Sequence, residues 1–187
     1  MYYGGSDAEK QRIRREVRQI ASSLDPEYLE KASRSITRKI LALPSWKKAR
    51  TVMAYVSLPE EPDTRELMET ALRDGKTLLL PRCGDRGKMD ALPVRDLSEL
   101  VPGILGIPEP VPPEGENPAP EPDLILVPCM AAALHGVRLG HGAGYYDRFL
   151  AAHTAESVCL CFRAFLRADL PAEETDIFVD RVITEED

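Results

Sequence analysis

The sequence predicts an α/β fold in three layers, with a mainly parallel central sheet and flanking helices. Three observations carry that expectation. Segments whose apolar residues recur at helical spacing alternate along the chain with short runs rich in strand formers, the pattern of βαβ units. One run, Leu124 to Val127, is apolar at every position, as suits a strand buried on both faces at the sheet centre. A helix-patterned stretch between Asp63 and Gly75 separates two further strand-like runs, so those two strands are expected to be parallel, joined by a right-handed crossover.

Taken in order, the first helix runs from Asp7 to about Leu24, with Ile13, Val17, Ile20 and Leu24 as its apolar stripe. Lys10, Arg14 and Arg18, each four residues apart, stack along one side of it. Asp25-Pro26 reads as an N-cap followed by proline at the first helical position. The second helix extends to about Leu43 with Ala32, Ile36, Ile40 and Leu43 inward, and Pro44 stops it. Thr51 to Ser57 is read as a buried strand. The loop from Leu58 to Pro62 contains Glu61. It precedes a helix capped by Asp63, with Glu66 three residues on, that ends at Gly75. Thr77 to Leu80 is the next strand, and Pro81-Arg82 follows it.

Cys83 to Lys88 is turn-rich, with Gly84, Asp85 and Gly87, and Met89 to Val94 returns as an edge strand. Val101 to Pro122 holds half of the sixteen prolines. It is read as an extended, semi-rigid connection that wraps the core, not as a boundary between domains. Leu124 to Pro128 is the central strand. A loop from Cys129 leads to a glycine-rich stretch, Tyr145 to His153 forms the helix behind it, and Ser157 to Phe162 is a further strand.

One domain is expected from 187 residues, 43% hydrophobic and 29% charged. A net charge of −7 excludes general attraction to nucleic acid or anionic membrane, so an anionic ligand must be drawn by a local basic cluster. The apolar run from Leu124 to Leu134 is too short to span a bilayer and contains Pro128. Met1 to Ser6 lacks the basic start and apolar core of a secretion signal. The cysteines at 83, 129, 159 and 161 have no metal-site spacing. Cys159 and Cys161 would share one strand face, and Cys83 and Cys129 fall in separate loops, so reduced thiols in a cytoplasmic protein are expected. Nothing in the sequence demands an oligomer, and a monomer is expected.

The chemistry concentrates between Gly136 and Leu150. Gly140, Gly142 and Gly144 alternate with Leu139, His141 and Ala143, and Tyr145, Tyr146, Asp147 and Arg148 follow at a helix start. Such a loop points free N–H groups and the positive end of a helix dipole at an anion. Arg138 and Arg148 bracket it with charge suited to phosphate or carboxylate, and Asp147 offers hard oxygens to Mg²⁺. The string is no P-loop, because no Gly-Lys-Ser/Thr ends it. Nor is it a dinucleotide fingerprint, because the third glycine comes early and no short strand leads directly in. Together the parts describe a nucleotide-phosphate cradle. The same residues also have plainer readings: a basic row can be a solvated helix face, Glu61 a solvated loop acid, Tyr145 and Tyr146 core aromatics, and Asp147 a partner for the helix dipole. His135, His141 and His153 form no cluster, so no histidine catalyst or metal site is expected.

The string Gly136-x-Arg138-Leu139-Gly140-x-Gly142-x-Gly144-Tyr145-Tyr146-Asp147 closely resembles the signature of the 5-formyltetrahydrofolate cyclo-ligase (5,10-methenyltetrahydrofolate synthetase) family. Lys10, Arg14 and Arg18 match that family's opening helix, Ser57 to Glu61 its Ser-x-x-x-Glu, Pro81-Arg82 its Pro-Arg, and Thr175 to Thr184 its ending. The resemblance implies the architecture shared with ribose-phosphate isomerase and CoA-transferase-like proteins. It implies ATP- and Mg²⁺-dependent conversion of 5-formyltetrahydrofolate, with or without a polyglutamate tail, to 5,10-methenyltetrahydrofolate. Phosphorylating the formyl oxygen would turn a poor leaving group into an iminium phosphate open to attack by N10, a step that asks the protein mainly for positioning and charge neutralisation.

By the same resemblance, Lys10, Arg14 and the cradle from Arg138 to Tyr146 would hold ATP, and Asp147 and Asp176 the Mg²⁺. Val56, Glu61, Arg14 and the segment from His141 to Tyr145 would contact the folate, and Arg14, Tyr145 and Arg148 are the candidate catalytic residues. Ala132 and Ala133 stand where the family often has an aromatic and an aspartate, and Arg163 and Phe165 where it commonly has glutamate and glutamine. These departures leave open a folate- or nucleotide-binding paralogue without turnover. A relative of the CoA-transferases or sugar-phosphate isomerases would instead want a catalytic carboxylate in another loop, with no need for Lys10 and Arg14.

Overall fold

A computed structural model describes residues 7–84, 87–103, 106–112 and 119–186. Met1 to Ser6 lies outside the described residues, as do Asp85 of the turn over 83–88 and residues 104–105 and 113–118 of the proline-rich connection.

Helix α1 (Asp7–Ala21) buries Ile13 and Val17. It stops short of Leu24 because the Ser22 and Ser23 hydroxyls donate to the Gln19 and Ile20 carbonyls, a local alternative to another helical turn. Helix α2 (Pro26–Ala42) begins as its sequence requires. The Asp25 carboxylate accepts the Glu27 N–H at 2.8 Å, with proline at the first position. Pro44 ends that helix but also opens a short one, α3 (Pro44–Lys48), which buries Trp46.

Strand β1 (Thr51–Met53) is shorter than the expected run to Ser57. Past it the Tyr55 carbonyl accepts the Thr64 hydroxyl at 2.5 Å, so a side chain replaces the ladder there. Helix α4 (Arg65–Arg73) starts after Thr64; Asp63, expected as its cap residue, instead accepts the Arg65 N–H from one position further out. Gly75 and Lys76 close the helix by donating to the Leu72 and Ala71 carbonyls.

Strand β2 (Thr77–Cys83) runs longer than expected, so Cys83 ends a strand and does not lie in a loop, and β3 (Met89–Val94) pairs antiparallel with it. The proline-rich segment forms a small hairpin of β4 (Val101–Pro102) and β5 (Pro108–Glu109). Strand β6 (Leu124–Val127) is followed by a second hairpin, β7 (Ala131–Ala132) and β8 (Arg138–Leu139). A short strand therefore does lead into the glycine loop, contrary to the sequence reading. Helix α5 (Tyr145–Ala152), β9 (Glu156–Leu160) and β10 (Arg181–Ile183) complete the chain.

The main sheet has the order β10-β9-β6-β1-β2-β3. Its first five strands are parallel, and β3 is the antiparallel edge. Val52, Met53, Leu78 to Leu80, Leu124 to Val127 and Val158 to Leu160 are buried along it, each apolar side chain contributing about 2 kcal/mol. Parallel pairing puts the carboxyl ends of five strands at one edge, where open α/β sheets bind ligands. No helix among the described residues is long and apolar enough to cross a membrane.

Asp123, just before β6, secures the neighbouring strand: its carboxylate accepts the Arg50 and Thr51 N–H groups at 2.8 and 2.9 Å. Those two bonds hold its pKa below the usual carboxylate range. The stabilisation is therefore present above the unfolded-state pKa and lost as pH falls through the folded-state value. Asp123→Ala is expected to cost about 1 kcal/mol at neutral pH, allowing for solvent screening. In urea melts the gap from wild type should narrow below about pH 4; a gap independent of pH would contradict the carboxylate's role.

Candidate active site

Helix α1 delivers Lys10 and Arg14, one turn apart, to the glycine loop, and each residue is only 6% exposed. Arg18, the third of the basic row, stays exposed. The Arg14 Nε donates to the Gly140 carbonyl at 2.8 Å. A Cβ on Gly142 would come within 3.3 Å of the Arg14 guanidinium, and Gly142 has φ +108°, so only glycine lets the loop fold against this arginine. Burial, then the charge of Arg18, lowers the Arg14 pKa, yet an arginine stays charged at neutral pH.

The Lys10 ammonium lies 2.7 Å from Asp176 Oδ2 and 3.3 Å from Glu173 Oε2. Burial works against its charge, but hydrogen bonds and attraction from Asp176 and Glu173 outweigh it and raise the pKa above an ordinary lysine's. Asp176, which could have been a solvated tail residue, is thus paired with the buried Lys10, and Glu173 is a second partner that no sequence pattern marked.

The β7–β8 hairpin feeds the cradle. Leu139, buried in β8, serves it through its carbonyl, which accepts the Met130 N–H at 2.7 Å. Gly144 is the N-cap of α5 in left-handed conformation, φ +67°, and no side chain caps that helix start. Its leading N–H groups are the donors an anion would use. Arg138, its side chain 4% exposed, donates through Nη2 to Asp147 Oδ1 at 3.0 Å. The Ile177 N–H reaches the same oxygen at 3.2 Å. That bond ties Asp147 to the segment that carries Asp176, thirty residues on.

Arg148 is exposed and donates to the Gly87 and Ala143 carbonyls at 2.9 and 2.6 Å, with its guanidinium 5.9 Å from the Tyr145 ring centre. Tyr145 in turn donates to the Gly84 carbonyl at 3.5 Å. Glu61 is buried; its Oε2 accepts the Leu58 N–H at 2.8 Å, and its Oε1 lies 3.4 Å from His141 Nε2. Glu61 also lines a cavity of about 590 Å³ bounded by Ser33, Thr37, Ser57 and Leu58. Val56, half-buried, packs against the core beyond β1. His135 and His153 pair elsewhere, with Asp169 and Glu121.

Among the described residues, the buried side-chain polar atoms without a protein partner are Tyr55 Oη, Tyr146 Oη and Arg138 Nε. Burial, then the Glu61 carboxylate, pushes both phenol pKa values well up. Such orphan atoms call for a partner from water or a bound ligand. The departing residues serve the scaffold: Ala132, Ala133 and Phe165 are buried, and Arg163 pairs with Glu186 at 3.2 Å.

The chain is 38% identical over 143 residues to the 5-formyltetrahydrofolate cyclo-ligase of Mycolicibacterium smegmatis, covering 72% of this chain and 73% of that protein. It is 31% identical over 174 residues to the Escherichia coli K12 5-formyltetrahydrofolate cyclo-ligase, covering 90% and 96%. The solved structure of Aquifex aeolicus 5,10-methenyltetrahydrofolate synthetase superposes with a TM-score of 0.83 at 33% identity, over 95% of this chain and 90% of that one. A Mycoplasma pneumoniae 5,10-methenyltetrahydrofolate synthetase, at 18% identity and a TM-score of 0.74, shares the fold. Residues 6–185 match the family description as a whole, and the chain belongs to the 5-formyltetrahydrofolate cyclo-ligase family.

Proposed function

We propose that this protein converts 5-formyltetrahydrofolate to 5,10-methenyltetrahydrofolate, consuming ATP with Mg²⁺ and releasing ADP and phosphate. The observation that carries this reading is the burial of Lys10 and Arg14 against an open glycine loop, with Asp147 and Asp176 at its edge. In a chain of net charge −7, two buried cations beside free helix N–H groups form a place for a polyanion.

Lys10, Arg14 and the backbone from Gly140 to Tyr145 would bind the phosphates. Arg138 orients Asp147 through its hydrogen bond, and Arg148, tied to the Ala143 carbonyl, holds the loop's shape around Tyr145. Val56, Glu61, His141 and Tyr145 would face the folate, where the buried Glu61 offers an acceptor to a polar ring edge.

The donor set fits Mg²⁺. Among the described residues no group of three or more carboxylate, histidine or cysteine side chains forms a full protein cage. Two carboxylates suit an ion that keeps waters and takes its remaining ligands from phosphate. When bound it would neutralise charge on the transferred phosphoryl group. Lys10, which bridges Asp176 and Glu173, would then turn from Asp176 toward the phosphates.

Mixing protein, 5-formyltetrahydrofolate, ATP and Mg²⁺ should produce the absorbance of methenyltetrahydrofolate. Omitting ATP, or chelating the metal with EDTA, should abolish the rise. No rise, with ATP or folate still raising the melting temperature, would mean a binding protein without turnover. No binding of either ligand would sink the reading altogether.

A further inference from the structure

One buried carboxylate lies outside the residues assigned above. Glu109, in β5, is 5% exposed although it belongs to the proline-rich connection. Its Oε1 accepts the backbone N–H of Cys83, the last residue of β2, at 3.4 Å. Gly103 closes the other side of the carboxyl group: a Cβ there would lie 2.1 Å from the Glu109 Cδ. Next to it, the Arg82 guanidinium donates to the Pro110 carbonyl at 2.8 Å. Burial, then the charge and hydrogen bonding of Glu109, pushes the Cys83 thiol up to about 11, so it stays protonated at neutral pH. A buried carboxylate persists only where such partners hold it.

The chain that leaves Cys83 runs directly to the site. The Gly84 carbonyl accepts the Tyr145 hydroxyl, and the Gly84 N–H donates to the Lys88 carbonyl at 2.8 Å. The Gly87 carbonyl accepts Arg148 Nε, and the same guanidinium reaches the Ala143 carbonyl inside the cradle. Hydrogen bonds and the backbone of Cys83–Gly84 and Gly87–Lys88 thus connect Glu109 to Tyr145 and to Arg148, whose guanidinium reaches back to Ala143.

We propose that Glu109 is a positioning residue, which fixes the end of β2 and thereby sets where Gly84 and Gly87 meet Tyr145 and Arg148 on the folate-facing side of the cradle. The assignment of that side to folate rests on the function proposed above. The positioning itself rests on the geometry alone.

Hydrogen–deuterium exchange on the full chain without ligand separates the two. Glu109→Ala should speed exchange about tenfold in both the 101–112 and the 141–148 segments, because it frees the end of β2 from which the Gly84 and Gly87 contacts to Tyr145 and Arg148 extend. Glu109→Gln, which keeps shape and one acceptor, should lie between it and wild type. KM for 5-formyltetrahydrofolate should rise about tenfold in Glu109→Ala with kcat within about twofold, as expected for a displaced contact. Faster exchange confined to 101–112 would make Glu109 a staple for its own hairpin and overturn the inference, as would exchange unchanged in both segments. If Glu109→Ala does not fold, Glu109→Gln carries the same readout: faster alkylation of Cys83 by iodoacetamide reports the lost charge, and exchange at 141–148 decides. If wild type shows no ATP-dependent turnover, the proposed function fails while the exchange result still stands or falls by itself.

Discussion

Arg14→Lys is expected to lower kcat/KM by about a thousandfold while moving the melting temperature by only a few degrees. Lysine keeps the charge and most of the buried stem. It cannot keep the geometry. The Arg14 Nε is committed to the Gly140 carbonyl, and the planar guanidinium lies against Gly142; in the proposed function its remaining N–H groups would meet the phosphate oxygens. An ammonium has three donors but no planar fork, so it cannot combine the carbonyl bond with a bidentate grip on phosphate. Steady-state kinetics at saturating ATP, beside a thermal melt, measures both quantities. Retention of more than about a tenth of wild-type kcat/KM would mean that Arg14 supplies only charge, and that its fit against the loop is incidental.

Asp147 separates structure from chemistry in another way. Asp147→Ala removes the counter-ion of Arg138, whose side chain is 4% exposed, and also orphans the Ile177 N–H. An uncompensated buried cation costs about 3–5 kcal/mol, which in a chain of this size is a fall in melting temperature on the order of 10 °C. Loss of activity in that variant would therefore say little about metal binding. Asp147→Asn keeps the size and one acceptor oxygen, so its melting temperature should fall by less than half as much. Its turnover should still drop at least about a hundredfold, and raising Mg²⁺ should recover part of it if the carboxylate helps hold the ion. An Asp147→Asn enzyme with normal turnover and normal Mg²⁺ dependence would confine this residue to holding Arg138.

Much of the chain was legible from local sequence because local forces decide those parts. Asp25-Pro26 opens α2, the apolar run makes β6 the middle of the sheet, Gly75 closes α4, and Gly144 precedes α5. For the helix ends the deciding contacts lie within a few residues; for β6 the unbroken apolar run already demands cover on both faces. The glycine string pointed to a phosphate cradle by its own chemistry, whereas the four-residue spacing of Lys10 and Arg14 gave only a basic row, and the family resemblance assigned that row to the cradle. Other features had no local signal. Strand β8 exists only because Ala131 and Ala132 lie across from it, and β10 only because β9 offers an edge some twenty residues earlier. The burial of Lys10, its pairing with Asp176 at a separation of 166 residues, the double duty of Asp147 and the tuck of Glu109 under Cys83 all join distant segments. Periodicity and capping describe what a residue does to its near neighbours. Which charges lose their water, and against whom, was decided only when the sheet brought those neighbours together.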